Sequence, residues 1–225
     1  IFIDNMKDLT LVIPAKNEKE SLPQVLKELD KYDVSKIIVI PEDDLQTRDA
    51  IKDFNCKILP QKGKGFGNAL IQGINAVNTK FFCIFNADGS FNPEYLENLI
   101  KKVNSNIDFV FCSRYEIGGG SEDDTILTYI GNKFFTGFCN LLFKLNLTDV
   151  LFTYVMGSTS AFKELNMKYN DFSFCVELPI KAKKNNFSLN VFPSFERRRI
   201  AGKKKVNALK DGSLILKKLI ELYFS

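Results

Sequence analysis

The residues with the clearest chemical potential lie at the end of an apolar run, in residues 86–90 (Asn-Ala-Asp-Gly-Ser). The preceding residues 81–85 are mostly apolar and predict a buried strand. An acid that follows a strand lies at the edge where open α/β sheets bind ligands. Asp88, with Ser90 beside it, can hold Mg²⁺ or Mn²⁺, and such a cation can hold a diphosphate. An Asp-Gly turn without a ligand is the structural alternative.

Two more polar loops follow predicted strands near the start of the chain. Residues 14–18 (Pro-Ala-Lys-Asn-Glu) come after the apolar run 9–13, and residues 41–44 (Pro-Glu-Asp-Asp) come after the run 36–40. Carboxylates at such strand ends can accept hydrogen bonds from a nucleobase N–H or from ribose hydroxyls. The alternative is that the first loop only caps the helix that follows it.

A glycine-rich turn and an arginine offer two further places for a phosphate. Residues 62–68 (Lys-Gly-Lys-Gly-Phe-Gly-Asn) precede a predicted helix, so backbone N–H groups and lysine can cradle an anion there. The spacing does not match a P-loop, and an ordinary turn is the alternative. Arg114 follows a strand predicted at 108–112, where a guanidinium can bind a phosphate through two donors. A surface arginine without a ligand is the alternative there.

Positive charge is concentrated near the end of the chain. The whole sequence has a net charge of +4, but residues 196–210 hold seven Lys or Arg and one acid. A phosphate, a nucleic acid or an anionic membrane surface can each bind such a segment, and a solvated loop is the structural alternative. Nucleic-acid binders often interleave aromatic side chains as stacking platforms, and residues 196–205 contain none. We therefore expect no nucleic-acid partner.

Two residue types narrow the possible chemistry. Histidine is absent, which rules out Ser-His-Asp triads, Cys-His dyads and metal sites ligated by histidine. The five cysteines form no CxxC pair, so we expect reduced, buried thiols of a cytosolic protein. Any catalysis must use carboxylates, lysine, arginine, tyrosine, hydroxyls, backbone amides and a hard cation.

The elements that position these residues alternate between strand and helix. Continuous apolar strands separated by helices indicate an α/β fold, with a mostly parallel sheet covered by helices on both faces. The predicted strands are 9–13, 36–40, 56–59, 81–85, 108–112 and 189–192. The predicted helices are 18–32, 67–78, 93–103, 127–145, 173–184 and an amphipathic segment at the C-terminus.

From residue 118 onward the pattern changes. A polar, glycine-rich loop over 118–124 leads into a helix rich in phenylalanine. Residues 134–143 of that helix can contact lipid, although a core helix is favoured. We interpret residues 1–225 as one domain with a C-terminal helical elaboration. No run approaches about 18 apolar residues and no leader is recognisable, so neither a membrane span nor a signal peptide is expected.

In this order, the segments resemble the inverting family 2 glycosyltransferases of GT-A fold. The resemblance is closest to the dolichyl- or polyprenyl-phosphate sugar synthases, the mannose synthases among them, and it covers nearly the whole chain. No single motif is decisive, but the ordered set is highly specific. The matching stretches are 12–18, 63–73, 86–90, 113–115, 131–133, 148–154, 176–178 and 199–212.

The resemblance implies a Rossmann-like GT-A domain with a nucleotide sugar, a GDP- or UDP-sugar, lying across the strand ends. Residues 1–117 would form the nucleotide-sugar-binding half, and residues 118–225 the acceptor half. The residues it implies for catalysis are Asp88, Arg114 and Glu177. The ligands it implies for Mg²⁺ or Mn²⁺ are Asp88, Ser90 and Asn86. Those implied around the nucleotide and the phosphates are Pro14, Ala15, Asn17, Glu18, Glu42, Asp43, Lys64, Gly65, Asn86, Ala87, Arg199 and Lys203.

The sequence departs from the family pattern in three places. The metal motif of the family usually reads Asp-x-Asp, whereas Asn86 holds the first position; its carbonyl oxygen can ligate but adds no charge. The family commonly has Asp-Asp-Gly-Ser after the second strand, where this chain has residues 41–46, so the acid that meets the base stays open. Family members often keep an arginine near Thr125, and this sequence has none there.

The implied reaction is sugar transfer with inversion, foremost to a polyprenyl phosphate. A phosphate monoester is already an anion at neutral pH and needs little help from a base, which suits a chain without histidine. A hydroxyl acceptor would need a carboxylate base, and Glu177 is then the candidate. The alternatives are a glycan hydroxyl acceptor, a non-catalytic nucleotide-sugar binding module, and a nucleic-acid protein that uses the basic segment. We expect a cytoplasmic protein with peripheral contact to the membrane surface.

Overall fold

The computed structural model describes residues 4–202 and 208–224. Strands β6 and β9 pair with each other, and the other seven strands of the described residues form the main sheet. The strands are β1 (Leu9–Pro14), β2 (Ser35–Pro41), β3 (Lys57–Gln61), β4 (Phe81–Ile84), β5 (Phe109–Ser113), β6 (Gly120–Ser121), β7 (Val155–Ser158), β8 (Leu189–Pro193) and β9 (Phe195–Glu196).

Helices occupy most of the connections between these strands. Short 3₁₀ turns at Asp4–Asp8 and Pro93–Tyr95 precede β1 and the fourth helix. The α-helices are α1 (Leu22–Leu29), α2 (Leu45–Ala50), α3 (Phe66–Asn75), α4 (Leu96–Val103), α5 (Ile126–Phe143), α6 (Thr159–Glu164), α7 (Phe174–Lys184) and α8 (Ala208–Phe224).

The order of strands in the main sheet is β3-β2-β1-β4-β7-β5-β8. All neighbours pair in parallel except β7, which runs antiparallel to both β4 and β5. Six strands therefore end at one edge of the sheet, which we call the carboxyl edge. Strands β1 and β4 are buried along almost their whole length, which explains why their sequences are continuous apolar runs.

Helices cover both faces of the sheet because successive side chains of a strand point to opposite sides. Leu11 and Ile13 of β1 belong to the core layer that contains the apolar faces of α1 and α4. Val12, between them, belongs to the layer formed with α3, α6, α7 and α8. The predicted α/β architecture, including the C-terminal helix, is therefore confirmed.

Strand β7 is the main feature that the sequence pattern did not predict. It is four residues long and lies between β4 and β5, although the chain reaches it only after α5. Gly157 makes this position possible, because a Cβ there would lie 2.5 Å from Cδ1 of Phe109. The short helices α2 and α6 and the small β6–β9 sheet were also not predicted.

Helix α5 has polar residues inside and apolar residues outside. Asn132 and Thr136 are buried, whereas Ile126, Ile130 and Phe134 are largely exposed. The partly buried phenylalanines of the same helix pack against the core layer on the opposite side. The core-helix interpretation thus holds for one side of α5 only.

Two expectations concern the chain as a whole. The cysteines are free, and four of the five are buried, with Cys56 half-buried. Within residues 4–202 and 208–224, no helix combines the length and the apolar character that a bilayer span requires.

Candidate active site

The loop after β4 takes its shape from its own Asp-Gly sequence. Oδ1 of Asp88 accepts a hydrogen bond from the Ser90 N–H at 3.0 Å, and Gly89 supplies the positive φ of +83° that the turn needs. The Phe85 N–H still donates to the Val12 carbonyl at 3.0 Å, so the loop leaves directly from the sheet. Asp88 is therefore held at the carboxyl edge, with its side chain 15% exposed.

Residues 197–202, which we call the strap, cross this loop directly after β9. Two N–H groups of the strap donate to the carbonyl groups of Ser90 and Asp88, each at 2.8 Å. The Ile200 side chain covers Gly89, where an added Cβ would lie 2.5 Å from Ile200 Cδ1. The strap therefore lies directly on the turn that carries Asp88.

Arg199 of the strap brings a positive charge to Asp88. Its Nη1 lies 3.5 Å from Asp88 Oδ2, and its Nη2 donates to Asp123 Oδ2 at 2.9 Å. Burial disfavours the charged guanidinium, but the hydrogen bond to Asp123 and the charges of Asp88, Asp123 and Glu196 outweigh this effect and raise the pKa of Arg199. A cationic group thus contacts two carboxylates at the carboxyl edge.

The side chains around Asp88 have the chemistry of a hard-cation site. Asn86 Nδ2 donates to Ser90 Oγ at 3.2 Å, and Ser90 is buried, so Ser90 supports the loop from within. Carboxylate, amide and hydroxyl oxygens suit Mg²⁺ and Mn²⁺, which often use one or two protein carboxylates together with substrate phosphates. The guanidinium of Arg199 acts as a stand-in positive charge at this position. Asp88 and Asn86 therefore fit such a cation.

The loop after β1 is tied to the loop after β2 by a buried aspartate. Asp44 caps α2 by accepting from the Thr47 N–H at 3.1 Å, and it also accepts from the Asn17 N–H at 2.6 Å. Asn17 has a left-handed backbone, with φ of 55°, which asparagine tolerates better than most residues. Of the acids at 42–44, Asp44 is therefore structural, and Glu42 and Asp43 remain exposed.

A cavity of about 190 Å³ lies between the start of α1 and the strap. Pro14 is the last residue of β1 and Ala15 follows it, and the Ala15 N–H donates to the Val39 carbonyl at 2.9 Å. The structure thus brings the predicted nucleoside loop and the strap together. The cavity is lined by Asn17, Glu18, Lys19, Glu20, Ser21, Ala201 and Gly202.

The glycine-rich turn before α3 packs closely against another loop of the protein. An added Cβ on Gly65 would lie 2.0 Å from the carbonyl oxygen of Asn170. The Asn68 N–H, in the first turn of α3, donates to that same carbonyl at 2.9 Å. The close approach of the Asn170 backbone accounts for a glycine at position 65, so a bound phosphate is not needed to explain this residue. Lys64 is exposed and stays a candidate for phosphate binding.

Arg114, directly after β5, is the centre of a buried ion-pair network. Its Nε and Nη2 donate to the two carboxylate oxygens of Asp149 at 2.7 and 3.0 Å, and its Nη1 donates to Glu196 at 3.1 Å. Burial disfavours the charge, but the hydrogen bond and the charge of Asp149 outweigh it and raise the pKa of Arg114. Asn132 of α5 also donates to Asp149. The guanidinium is committed to protein carboxylates, which differs from the phosphate contact expected from the sequence.

Glu177 lies in the interior, in the first turn of α7. Its carboxylate accepts from the N–H groups of Lys168 and Tyr169, each at 2.8 Å, and pairs with Lys181 at 2.8 Å. A general base must come within hydrogen-bond reach of the proton that it removes. The contacts of Glu177 fit an anchor for the preceding loop rather than the base expected from the sequence.

The basic segment is partly neutralised within the protein. Arg197 forms a two-pronged pair with Glu28 at 2.7 and 2.9 Å, and Arg199 pairs with the two acids described above. Arg198 is exposed. Lys203, expected from the sequence to contact phosphate, lies outside the described residues.

Asp123, Asp149 and Glu196 were not predicted as site residues. Each is bound to an arginine of the carboxyl edge. One signal was present for Asp123, because the acidic run at 122–124 matches the length and opposite charge of the basic run at 197–199. The spacing alone did not show that the two runs meet.

The described part of the chain has an α/β fold of GT-A type, with a mostly parallel seven-stranded main sheet covered by helices on both faces. Residues 10–166, more than half of the chain, match the family model of glycosyl transferase family 2. The chain belongs to glycosyl transferase family 2.

Curated relatives match parts of the chain. An uncharacterized glycosyltransferase of Mycobacterium tuberculosis is 26% identical over 111 residues, which cover 49% of this chain and 50% of the relative. An uncharacterized protein of Methanocaldococcus jannaschii is 28% identical over 104 residues, which cover 44% of this chain and 43% of the relative. The chain spans about half the length of the curated relatives it matches.

Solved structures resemble nearly the whole chain. Glucosyl-3-phosphoglycerate synthase from M. tuberculosis in complex with phosphoglyceric acid has a TM-score of 0.75 and 12% identity, covering 95% of this chain and 79% of that chain. Mannosyl-3-phosphoglycerate synthase from Rubrobacter xylanophilus has a TM-score of 0.69 and 13% identity, covering 95% and 72%. At these identities the likeness shows the fold.

Proposed function

We propose that this chain transfers a sugar, with inversion, from a nucleoside-diphosphate sugar to an acceptor that carries a phosphate. A UDP-sugar is the first choice of donor and a polyprenyl phosphate the first choice of acceptor. The observation that carries the proposal is the partly exposed Asp88 carboxylate at the end of β4, which the positive charge of Arg199 faces at 3.5 Å.

Asp88 is the residue that would hold a divalent cation, and Asn86 would add an amide oxygen. Such a cation, when bound, neutralises the charge that develops on a leaving diphosphate. The chain contributes a carboxylate of fixed direction, because the Ser90 N–H holds one oxygen of Asp88 and leaves the other facing the strap.

The nucleoside would lie over the loops that follow β1 and β2. The cavity beside Asn17 and Glu18 measures about 190 Å³, whereas pockets for drug-sized ligands measure roughly 300–1,000 Å³. With the strap in place, the cavity would hold only the base end of the donor. Glu42 and Asp43 are exposed acids that can accept hydrogen bonds from a base or a ribose.

The solved neighbours support UDP and manganese as the first choice. The M. tuberculosis synthase was crystallised with Mn²⁺, UDP and glucosyl-3-phosphoglycerate, and also with Mn²⁺, UDP-glucose and phosphoglyceric acid. GDP-sugars and Mg²⁺ are kept as arms of the test, because the described residues give no contact that selects a base.

A phosphate acceptor suits the residues around Asp88 and the strap. A phosphate monoester provides its own nucleophilic oxygen, so no general base is required, and Glu177 is an interior anchor. Arg199 is the cationic side chain of the strap nearest to Asp88 among the described residues. It can bind the acceptor phosphate through two donors. Arg114 would act indirectly, by holding Glu196 and Asp149 in place.

The exposed face of α5 supports a lipid acceptor. Ile126, Ile130 and Phe134 recur at the spacing of one helical face and are all exposed, and α5 begins three residues after Asp123. Large exposed apolar patches mark interaction sites for protein or membrane. A lipid whose phosphate meets Arg199 can therefore continue along α5. The protein would then lie peripherally on the cytoplasmic face of a membrane, with residues 1–117 as the donor half and 118–225 as the acceptor half.

A small phosphorylated acceptor is the second candidate. The solved neighbours of similar fold are named for synthesis of glucosyl- and mannosyl-3-phosphoglycerate, and one holds phosphoglyceric acid. Such an acceptor would use the same cationic contact at Arg199 without any contact to α5.

A transfer assay with matched acceptors tests the proposal. The protein is incubated with Mn²⁺ or Mg²⁺ and with either UDP-glucose or GDP-mannose. The acceptor is a short polyprenyl phosphate in detergent, the corresponding polyprenol, 3-phosphoglycerate or an oligosaccharide. Product is identified by mass spectrometry, and Asp88→Asn serves as the matched variant. We expect product with the polyprenyl phosphate, none with the polyprenol, and loss of product in Asp88→Asn.

The other results have definite meanings. Transfer to 3-phosphoglycerate alone selects the second candidate. Transfer only to the polyprenol or the oligosaccharide, which carry no phosphate, contradicts the phosphate-acceptor proposal. If the native protein and Asp88→Asn both turn over every donor only at the background rate, the enzyme assignment is contradicted. The alternative of a non-catalytic nucleotide-sugar binding module is then favoured.

A further inference from the structure

We propose that Asp123 is the second carboxylate of the cation site and that the guanidinium of Arg199 occupies the position of the cation when no cation is bound. This inference rests on the proposed function, because it concerns the cation that accompanies the donor. It assigns a ligand from the acceptor half of the chain to a site on the donor half.

The contacts of one guanidinium bring the two acids together. Arg199 donates to Asp123 at 2.9 Å through Nη2 and lies 3.5 Å from Asp88 through Nη1. The side chains of Asp88 and Asp123 are each 15% exposed, so solvent reaches part of both side chains. The two acids are 35 residues apart in the chain and meet at a single positive charge.

The loop before α5 is built to hold Asp123 at this place. Ser121 donates to Glu196 at 2.6 Å and accepts from the Asp123 N–H at 3.1 Å. The Glu122 N–H donates to the Glu196 carbonyl at 2.9 Å through the small β6–β9 sheet. Asp123 is therefore fixed to the strand that precedes the strap.

Asp123 adds a negative charge to the loop after β4, which has a single carboxylate of its own. Residue 86 is an asparagine, so the loop itself presents one carboxylate, Asp88. Asp88 and Asp123 together present two, the upper end of the one or two carboxylates that a divalent cation with bound phosphates commonly uses. Asp123 can therefore replace the charge that Asn86 lacks.

Arg199 must move for the cation to bind. A guanidinium does not lose its proton at any ordinary pH, so it cannot be neutralised in place and would repel a divalent cation. Its contact with Asp88 is long, at 3.5 Å. When a cation replaces it between the two acids, Arg199 becomes available to a phosphate of the substrate.

Binding of Mn²⁺ provides a readout that does not depend on turnover. Free Mn²⁺ is measured by electron paramagnetic resonance in titrations of the full chain, alone and with UDP. The variants are Asp88→Asn, Asp123→Asn and Arg199→Leu. Glu122→Gln is the matched control, because Glu122 is the adjacent acid of the same loop and accepts from the Arg198 N–H instead of from Arg199. Thermal unfolding of each variant verifies that it is folded.

We expect Asp123→Asn to weaken Mn²⁺ binding with UDP by at least about tenfold, since even the indirect partners of metal ligands cost 10–100-fold. Arg199→Leu is expected to tighten binding of Mn²⁺ alone by about fivefold, the size of a partly exposed ion pair. Glu122→Gln is expected to change neither.

Two results would overturn the inference. Mn²⁺ binding that needs Asp88 and is unaffected by Asp123→Asn leaves the proposed function in place and removes Asp123 from the site. Weaker Mn²⁺ binding in Arg199→Leu shows that Arg199 does not compete with the cation. If the native protein binds neither UDP nor Mn²⁺, the proposed function itself fails, and the transfer assay shows this independently.

Discussion

Two arginine–aspartate contacts at the same edge of the sheet differ in geometry and in exposure. Arg114 and Asp149 form a two-pronged pair with N–O distances of 2.7 and 3.0 Å, and their side chains are 11% and 0% exposed. Arg199 and Asp88 approach only to 3.5 Å, and their side chains are 21% and 15% exposed. The first contact is interior, and the second is partly exposed.

The difference indicates which of the two contacts a ligand can replace. Removing one partner of a buried pair leaves an uncompensated charge and costs several kcal/mol, so the interior contact cannot exchange partners. A long, partly exposed contact contributes about 0–1 kcal/mol, so a ligand can replace it. We conclude that Arg114 and Asp149 hold the edge together and that Asp88 is available to a ligand.

The largest effect on activity is expected at Asp88. Asp88→Asn should lower the rate of transfer by about 100-fold or more, the size found when one charge-stabilising group is lost. The free energy of unfolding should change by less than about 1 kcal/mol, because the contact with Arg199 is loose. The transfer assay and urea denaturation check these values. Retained transfer, or a large loss of stability, would break the distinction between the two contacts.

The largest effect on stability is expected in the interior. Arg114→Ala should lower the free energy of unfolding by about 3–5 kcal/mol, because Asp149 is left buried without its partner. The double variant Arg114→Met with Asp149→Asn removes that stranded charge and should recover part of the loss. Urea denaturation of both proteins provides the test. A single variant as stable as the native protein would show that the interior contact does not hold the edge.

Alanine substitutions at two glycines, Gly89 and Gly202, separate the packing of the strap on the Asp88 loop from the backbone strain that both substitutions cause. Gly89 and Gly202 have nearly the same φ, +83° and +82°, so alanine costs about 1–2 kcal/mol in backbone strain at either site. Only at Gly89 does the added Cβ meet Ile200. Gly89→Ala should therefore be less stable than Gly202→Ala by about 1 kcal/mol or more, the cost of overpacking. Equal free energies of unfolding would show that the strap does not pack on this turn.

A last prediction concerns the thiols. Burial raises the pKa of Cys112 and of Cys175, so both should react slowly with iodoacetamide, whereas half-buried Cys56 should react first. Arg114→Ala should speed labelling of Cys112, the residue two positions before Arg114, by about tenfold for each 1.4 kcal/mol of stability lost. Arg199→Leu should not. Mass spectrometry of labelled peptides measures both rates, and equal acceleration in the two variants would remove the distinction.

The carboxyl edge and Asp88 were predictable from the sequence for a simple reason. A parallel strand buried on both faces is a continuous apolar run, and the Asp-Gly turn follows that run directly. Both signals are local, and so are the patterns of α1, α3 and α4. The match to glycosyl transferase family 2 and the GT-A fold are likewise what the ordered motifs indicated.

The contacts that decide the roles of individual residues are not local. Arg114 reaches Asp149 across 35 residues and Glu196 across 82, and Arg199 reaches Asp123 across 76. No spacing rule reports such pairs before the chain is folded. Strand β7 was missed for the same reason, because four residues gain strand structure only from pairing with β4 and β5.

A crystal structure with UDP and Mn²⁺, with the metal located by its anomalous scattering, tests the central claim most directly. We predict a manganese peak about 2.1 Å from an oxygen of Asp88, the distance typical of a hard divalent cation, with Arg199 moved away from that carboxylate. A nucleotide bound elsewhere, with no metal at Asp88 and Arg199 still in contact with it, would contradict the account.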